Sequence, residues 1–235
     1  MKNFGRRRSD ERRTIVLIDF DGTLAKGDSL LPFLNRLQTR RLSTARLAAF
    51  GGLDLLRSRQ LNRNAAKQFL LHRCLAGRTA EDLRVLGRGY ARHLADRCML
   101  DDAMTAIELH RSNGALITLV SASLDIYLDH VRALVGLDAL LCTQVEFGAD
   151  GRATGRLIGT NVRGKEKVRV VERWMQTERF HRDECDVVAY GNSSADRDLL
   201  VWADRGFLRK RDRLRRTGEF ERVRHGIERS PVATR

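Results

Sequence analysis

The chain has 235 residues, of which 42% are hydrophobic, and this content is enough to bury a sizeable core. Disorder throughout is therefore excluded, and either one large domain or a domain with an insertion is expected. Only 2 prolines and 19 glycines are present, which favours long helices and an α/β or α-rich fold.

The 4 cysteines lie far apart and form no Cys-x-x-Cys pair. This spacing argues against a disulfide framework and against a zinc knuckle. The apolar run behind the arginine-rich amino terminus is too short for a signal peptide or a spanning helix. We therefore expect a cytoplasmic protein.

The net charge of +14 is concentrated towards the two ends of the chain. We predict basic tails at residues 1–13 and 209–235. Such tails most often serve only to solvate a chain, and the alternative is peripheral contact with an anionic membrane. Neither tail contains the aromatic residues interleaved with basic ones that bind bases, so nucleic acid is not expected as a partner.

Residues 14–18 form a β-branched apolar run typical of a buried parallel strand. Helical spacing follows over residues 29–107, and its length predicts an inserted helical cap. Within it, residues 42–59 are apolar on more than one face, which indicates a buried cap helix or, alternatively, a membrane-surface contact.

The remaining elements belong to a predicted catalytic core, residues 14–28 and 108–208. Two further strands are predicted at 115–120 and 186–190, helices at 124–135 and 168–175, and a hairpin of 144–147 with 156–159. Because ligands bind at the carboxyl ends of parallel strands, we expect the loops after the three strands to converge on one site.

The segment from Asp19 to Leu24 places two carboxylates, Asp19 and Asp21, directly after the first strand. Asp19 can attack phosphorus, while Asp21 can protonate the leaving oxygen and later deprotonate water. Thr23 supplies a hydroxyl to the phosphate. Two carboxylates and a dianionic substrate would repel each other, so a hard divalent cation, Mg²⁺, is expected.

This segment resembles the first motif, D-x-D-G-T-L, of the haloacid dehalogenase superfamily, and the inserted cap resembles that of phosphoserine phosphatases. The resemblance covers about residues 15–208 and implies a Rossmann-like parallel sheet with a helical cap. It also implies that Ser121 holds the phosphoryl group and that a lysine offsets charge on the nucleophile. Lys167 and Lys165 compete for that role, and the G-x-x-K-V spacing favours Lys167.

In the fourth motif Asn192 stands where aspartate is more usual, followed by Asp196. The resemblance implies that both serve the metal with Asp19 and Asp21, Asp196 through water or by orienting the lysine. Asp28 lies near the position of the glutamate with which phosphoserine phosphatases read the substrate amine. It is shorter by one methylene, which makes phosphoserine a doubtful substrate.

The expected function is hydrolysis of a small or lipid-linked phosphomonoester through an aspartyl-phosphate. Two alternatives remain open. One is a phosphotransferase or mutase of the same family, and the other is a catalytically weakened binding protein that uses its basic tails. The sequence does not predict an oligomeric state.

Overall fold

The strands and helices are described for residues 12–37, 63–210 and 213–216 of a computed structural model. The strands are β1 (Arg13–Ile18), β2 (Leu116–Leu124), β3 (Ala139–Phe147), β4 (Ala153–Ile158), β5 (Cys185–Gly191), β6 (Arg205–Lys210) and β7 (Arg213–Arg216). The helices are α1 (Leu30–Arg36), α2 (Arg63–Leu75), α3 (Ala80–Arg97), α4 (Asp101–Ser112), α5 (Asp125–Val135), α6 (Lys165–Thr177) and α7 (Arg197–Trp202), with a 3-10 turn at Arg182–Glu184.

The strands form a sheet in the order β4-β3-β2-β1-β5-β6-β7. Pairing is parallel from β3 to β6, and the edge strands β4 and β7 are antiparallel to their neighbours. The predicted α/β class and Rossmann-like core are confirmed.

Strand β1 lies inside the sheet and is covered on both faces. Val16 and Ile18 pack in one apolar cluster, while Ile15 and Leu17 pack in another on the opposite face. This double burial explains why the strand is apolar at successive positions instead of alternating with polar residues. It also fixes the position of Asp19, the next residue along the chain.

Two of the predicted strands are longer in the structure. Strand β2 continues to Leu124, so Ser121 and Ser123 belong to the strand, whose pairing with β3 changes register between 121 and 124. Strand β3 begins at Ala139, before the predicted hairpin, and its first half pairs in parallel with β2. The predicted helix end is confirmed, because Gly136 caps α5 with a left-handed φ of 72°.

Helices α1, α2 and α3 lie in the insertion between β1 and β2, as expected for a helical cap. The segment that enters the cap and the segment that leaves it lie side by side. They are joined by hydrogen bonds from Lys26 N to Cys98 O (2.8 Å) and from Leu100 N to Leu24 O (3.0 Å). The next helix, α4, contacts β2 in the core. The predicted cap boundary at residue 107 falls inside this helix.

The predicted tails begin within the sheet. Arg13 is the first residue of β1 and Arg209 belongs to β6. Arg209 is 6% exposed and donates a hydrogen bond to Asp102 in α4, so this arginine is part of the core and does not belong to a solvated tail. Residues 1–11 and 217–235 lie outside the described residues, as does the apolar stretch 42–59.

None of the helices among the described residues is both long enough and apolar enough to span a membrane.

Candidate active site

Asp19 lies at the carboxyl end of β1 and is 6% exposed. Its Oδ2 accepts a hydrogen bond from Thr23 Oγ1 at 3.1 Å. Thr23, predicted to contact phosphate, is fully buried and directs its hydroxyl to the Asp19 carboxylate instead. Burial raises the pKa of Asp19 from 3.8 to about 6 although nearby Lys167 lowers it, so the carboxylate is ionised at neutral pH.

Lys167, in α6, is 1% exposed and points from the helix towards the end of β1. Its Nζ lies 2.6 Å from Asp19 Oδ1 and 2.6 Å from Asp196 Oδ1, and it also donates to Val120 O at 2.9 Å. Burial lowers the pKa of this lysine, but the two carboxylates outweigh that effect and the net pKa is raised. Lys167 is therefore a fixed cation between two acidic groups.

Lys165 occupies a different position, although it is only two residues away. Its side chain is exposed and is not among the residues that line the pocket around Asp19. The helix rotates by about 200° over two residues, which explains why only one of the two lysines can face the site.

Asp196 precedes α7 and organises the turn after β5. Its Oδ1 accepts from Lys167, and its Oδ2 accepts from Asn192 N (3.2 Å), Ser193 N (3.0 Å) and Ser193 Oγ (2.9 Å). Because Oδ1 pairs with Lys167 and three donors of the turn converge on Oδ2, the geometry favours an orienting role over direct metal ligation. Burial raises the pKa of Asp196, but Lys167 and the Ser193 donors outweigh this effect, and the net pKa lies below the usual 3.8.

Asn192 touches the loop that carries the two aspartates. Gly22 adopts a φ of +75°, and a Cβ at that position would lie 2.0 Å from Asn192 Nδ2. Only glycine satisfies both the backbone conformation and the close approach of the amide. The turns after β1 and β5 therefore meet, as the sequence predicted for a common site.

Asp21 is held by donors from two directions. Its Oδ1 accepts from Ser29 N at 2.7 Å and its Oδ2 accepts from Ser123 Oγ. Burial raises the pKa of Asp21, and these hydrogen bonds lower it in part. The proton-transfer candidate is thus a carboxyl with a defined orientation.

A pocket of about 380 Å³ joins these groups. Ser121, which is 1% exposed and accepts from Ser123 N at 3.0 Å, contributes to its lining. Asp28 lies at the pocket too, exposed, with its Oδ1 accepting from Leu31 N at 2.9 Å. Seven of the nine predicted residues line the pocket, and they are Asp19, Asp21, Asp28, Ser121, Lys167, Asn192 and Asp196.

The pocket residues that sequence reasoning missed include Lys67, Asn161 and Arg163. Lys67 comes from cap helix α2, and its Nζ donates to Ala122 O and to Asn161 Oδ1 (2.6 Å) in the core. Burial lowers the pKa of Lys67 from 10.5 to about 8. No local motif marks these residues, since the contact joins positions 94 residues apart.

The oxygen groups of the pocket fit a hard divalent cation. Asp19, Asp21 and the side-chain amide of Asn192 line the same space, and oxygen ligands of this kind suit Mg²⁺. Within the described segments no group of three His, Cys, Asp or Glu residues is arranged as a metal centre. The groups that would hold the cation are the two aspartates and the amide oxygen of Asn192, which line one pocket. Burial raises the pKa of both Asp19 and Asp21, so a cation beside them would stabilise their ionised forms.

Fold and site together define a capped α/β protein with an acidic pocket at the carboxyl edge of a parallel sheet. Residues 16–200 match the model of the haloacid dehalogenase-like hydrolase family, and the chain belongs to this family. The resemblance noted in the first motif is therefore confirmed.

Three similar proteins illustrate what the chain resembles. It is 32% identical over 195 residues to the protein CicA of Caulobacter vibrioides, covering 81% of this chain and 83% of that protein. A protein of unknown function from Bordetella pertussis Tohama I has a similar structure, with a TM-score of 0.70, 25% identity and coverage of 83% and 89% of the two chains.

A phospho-aspartyl intermediate analogue of phosphoserine phosphatase has a TM-score of 0.56 at 18% identity, covering 85% of this chain and 86% of that one. At this identity the likeness demonstrates a shared fold.

Proposed function

We propose that this chain hydrolyses a phosphomonoester, with Asp19 as the nucleophile, Asp21 as the acid and base, and Mg²⁺ as the cofactor. The observation that carries the proposal is the contact between buried Lys167 and Asp19 in a pocket shared with Asp21 and Ser121. Membership of a hydrolase family supports the same reaction class.

In the first step an Asp19 oxygen bonds to phosphorus while the bond from phosphorus to the ester oxygen breaks. Asp21 transfers its proton to that oxygen, which leaves as an alcohol. The hydroxyl of Ser121 and the ammonium of Lys167 stabilise the oxygens of the phosphoryl group. Asp19, Asp21 and Asn192 would hold Mg²⁺, which would supply positive charge that offsets the negative charges of the carboxylates and the phosphate.

In the second step Asp21 accepts a proton from water, and that water attacks phosphorus of the aspartyl-phosphate. Inorganic phosphate leaves, and Asp19 returns to its carboxylate form. Asp196 keeps Lys167 in place through the 2.6 Å contact during both steps, so its role is to position the lysine.

The described part of the pocket supports a small phosphomonoester as the substrate. Asp28 is the candidate for reading the leaving group, because it is exposed at the pocket and lies in the loop that leads to the cap. A lipid-linked substrate would depend on residues 42–59 and on the ends of the chain, which lie outside the described residues. Liposome binding by the full chain tests that extension.

The test compares wild type with Asp19→Asn, using p-nitrophenyl phosphate with and without Mg²⁺. We expect Mg²⁺-dependent phosphate release that falls by at least ~10³-fold in the variant, because an amide cannot act as this nucleophile. The variant should still fold. The folded-state pKa of Asp19 is raised, so ionising this group costs folding free energy at neutral pH, and asparagine removes that cost.

Absence of hydrolysis by wild type in saturating Mg²⁺ would instead support the binding-protein alternative. Transfer of the phosphoryl group to an added alcohol in preference to water would support the phosphotransferase alternative. Wild-type turnover by Asp19→Asn would refute the assigned nucleophile.

A further inference from the structure

Three buried hydroxyl groups form a chain that ends at Asp21. Ser123 Oγ donates to Asp21 Oδ2, Ser29 Oγ lies 3.1 Å from Ser123 Oγ, and Tyr127 OH lies 2.9 Å from Ser29 Oγ. The exposed fractions of Ser123, Ser29 and Tyr127 are 3%, 3% and 0%. None of these three residues has a role predicted from the sequence.

Counting protons gives the chain a direction. An ionised carboxylate only accepts hydrogen bonds, so the single hydroxyl proton of Ser123 is directed to Asp21. The bond between the two serines must then use the proton of Ser29, and the bond to Ser29 must use the proton of Tyr127. All three hydroxyls therefore donate in the same direction: Tyr127 to Ser29, Ser29 to Ser123, and Ser123 to Asp21.

The chain fixes the plane of the Asp21 carboxyl group. Oδ2 accepts from Ser123 Oγ, while Oδ1 accepts from the backbone N–H of Ser29 at 2.7 Å. One lone pair on each oxygen is occupied by a protein donor. The remaining lone pairs are the positions at which Asp21 can carry the proton that it transfers.

Ser29 also connects the loop that carries Asp21 to the cap. Tyr90 in α3 donates from its hydroxyl to Ser29 O at 2.9 Å. The ring of Phe33 in α1 lies 5.5 Å from that of Tyr90 and 4.9 Å from that of Tyr127, measured between centroids. The hydroxyl chain is thus enclosed where two cap helices pack against core helix α5, and its geometry depends on the docked cap.

We propose that Ser123 is a positioning residue for proton transfer by Asp21, and that Ser29 and Tyr127 hold Ser123 in its donating orientation. The inference rests on the proposed phosphomonoesterase function. Ser123 acts through Asp21: the proton of Asp21 moves to the ester oxygen as the phosphorus–oxygen bond breaks and the bond to Asp19 forms. Loss of Ser123 should therefore matter most when the leaving oxygen needs a proton.

The test measures kcat/KM for a series of aryl phosphates with leaving groups of different basicity, from 2,4-dinitrophenyl phosphate to phenyl phosphate. Ser123→Ala should reduce kcat/KM for phenyl phosphate by roughly 10- to 100-fold, with a much smaller reduction for the dinitrophenyl ester. Ser123→Thr, which restores a hydroxyl, should recover most of the loss. Ser112→Ala, at the exposed end of α4, is the matched control and should match wild type.

Tyr127→Phe tests the same chain without removing a contact to Asp21. Its ring keeps the aromatic packing, so the variant carries the test if Ser123→Ala does not fold. We expect a loss of kcat/KM in the same direction that again grows with leaving-group basicity.

An equal loss for all leaving groups in both variants would overturn the positioning role, while the proposed function would stand. If wild type itself fails to hydrolyse 2,4-dinitrophenyl phosphate in Mg²⁺, the proposed function fails first. The two failures are therefore distinguishable.

Discussion

Lys165 and Lys167 are the same residue type on the same helix, and only their direction separates them. Lys167 is buried against Asp19 and Asp196, whereas Lys165 is exposed. A buried ammonium balances the charge of neighbouring carboxylates far better than a solvated one, because water screens the exposed group. Geometry therefore supports Lys167 as the motif lysine.

The pair provides a matched test at the scale of single residues. Lys167→Met should lower kcat/KM for p-nitrophenyl phosphate by roughly 10²- to 10³-fold, because a preorganised cation is lost at the transferring phosphoryl group. It should also destabilise the fold by about 3–5 kcal/mol, since two buried carboxylates lose their partner. Lys165→Met should leave both kcat/KM and the thermal midpoint close to wild type. Loss of activity in Lys165→Met alone would reverse the assignment.

Asp19 illustrates how function opposes stability at a single position. Burial raises its pKa to about 6, so the folded state favours the protonated acid below that value. At neutral pH the group is ionised, which is the form that the proposed attack on phosphorus requires. The adjacent Lys167 limits the energetic cost of that ionisation without removing it.

Between elements, the decisive contact is the approach of the turn after β5 to the turn after β1. The amide of Asn192 occupies the space beside Gly22 that a side chain would fill. This contact brings Asn192 to the same pocket as Asp19 and Asp21, where its oxygen can serve a cation. A change at Gly22 should therefore act on metal binding through Asn192.

Gly22→Ala tests this contact, and Gly77→Ala is its control. Both glycines have positive φ, +75° and +81°, so both variants carry a similar backbone penalty of about 1 kcal/mol. Only at position 22 would the new methyl group meet another group, since nothing lies within 4 Å of a Cβ at Gly77. We expect Gly22→Ala to raise the Mg²⁺ concentration for half-maximal activity several-fold, and Gly77→Ala to leave it unchanged. An equal shift in both variants would contradict the proposed link to Asn192.

How far the sequence predicts the molecule depends on the range of the interactions involved. The apolar run before Asp19 predicts β1, and the strand ends predict which loops meet, because parallel topology brings them to one edge. The first half of β3 was not predicted from the sequence. Its apolar run is short, lies close behind α5 and shows no alternation that would distinguish a strand from a helix. The hydroxyl chain from Tyr127 to Asp21 was not predicted either, because each bond joins residues distant in sequence.

At the scale of the whole molecule, Lys67 makes a long-range contact between the cap and the core. It lies in the cap, yet its ammonium reaches the core at Ala122 O and Asn161 Oδ1. Its side chain also lines the pocket that contains Asp19 and Asp21. One residue therefore joins the cap to the core and places positive charge where an anionic substrate would bind.

Burial lowers the pKa of Lys67 to about 8, which makes this charge dependent on pH in an accessible range. Because the lowered pKa of about 8 is still above 7, the ammonium is charged at neutral pH. It loses its proton as the pH rises through about 8. We expect kcat/KM for p-nitrophenyl phosphate, measured in saturating Mg²⁺, to fall over that range as the attraction for the dianion weakens. Lys67→Arg keeps its charge at all these pH values and should lack this decline. Lys67→Met should have a lower kcat/KM at pH 7, and its kcat/KM should likewise not decline as the pH rises through 8. An identical decline in wild type and both variants would assign the titration to another group.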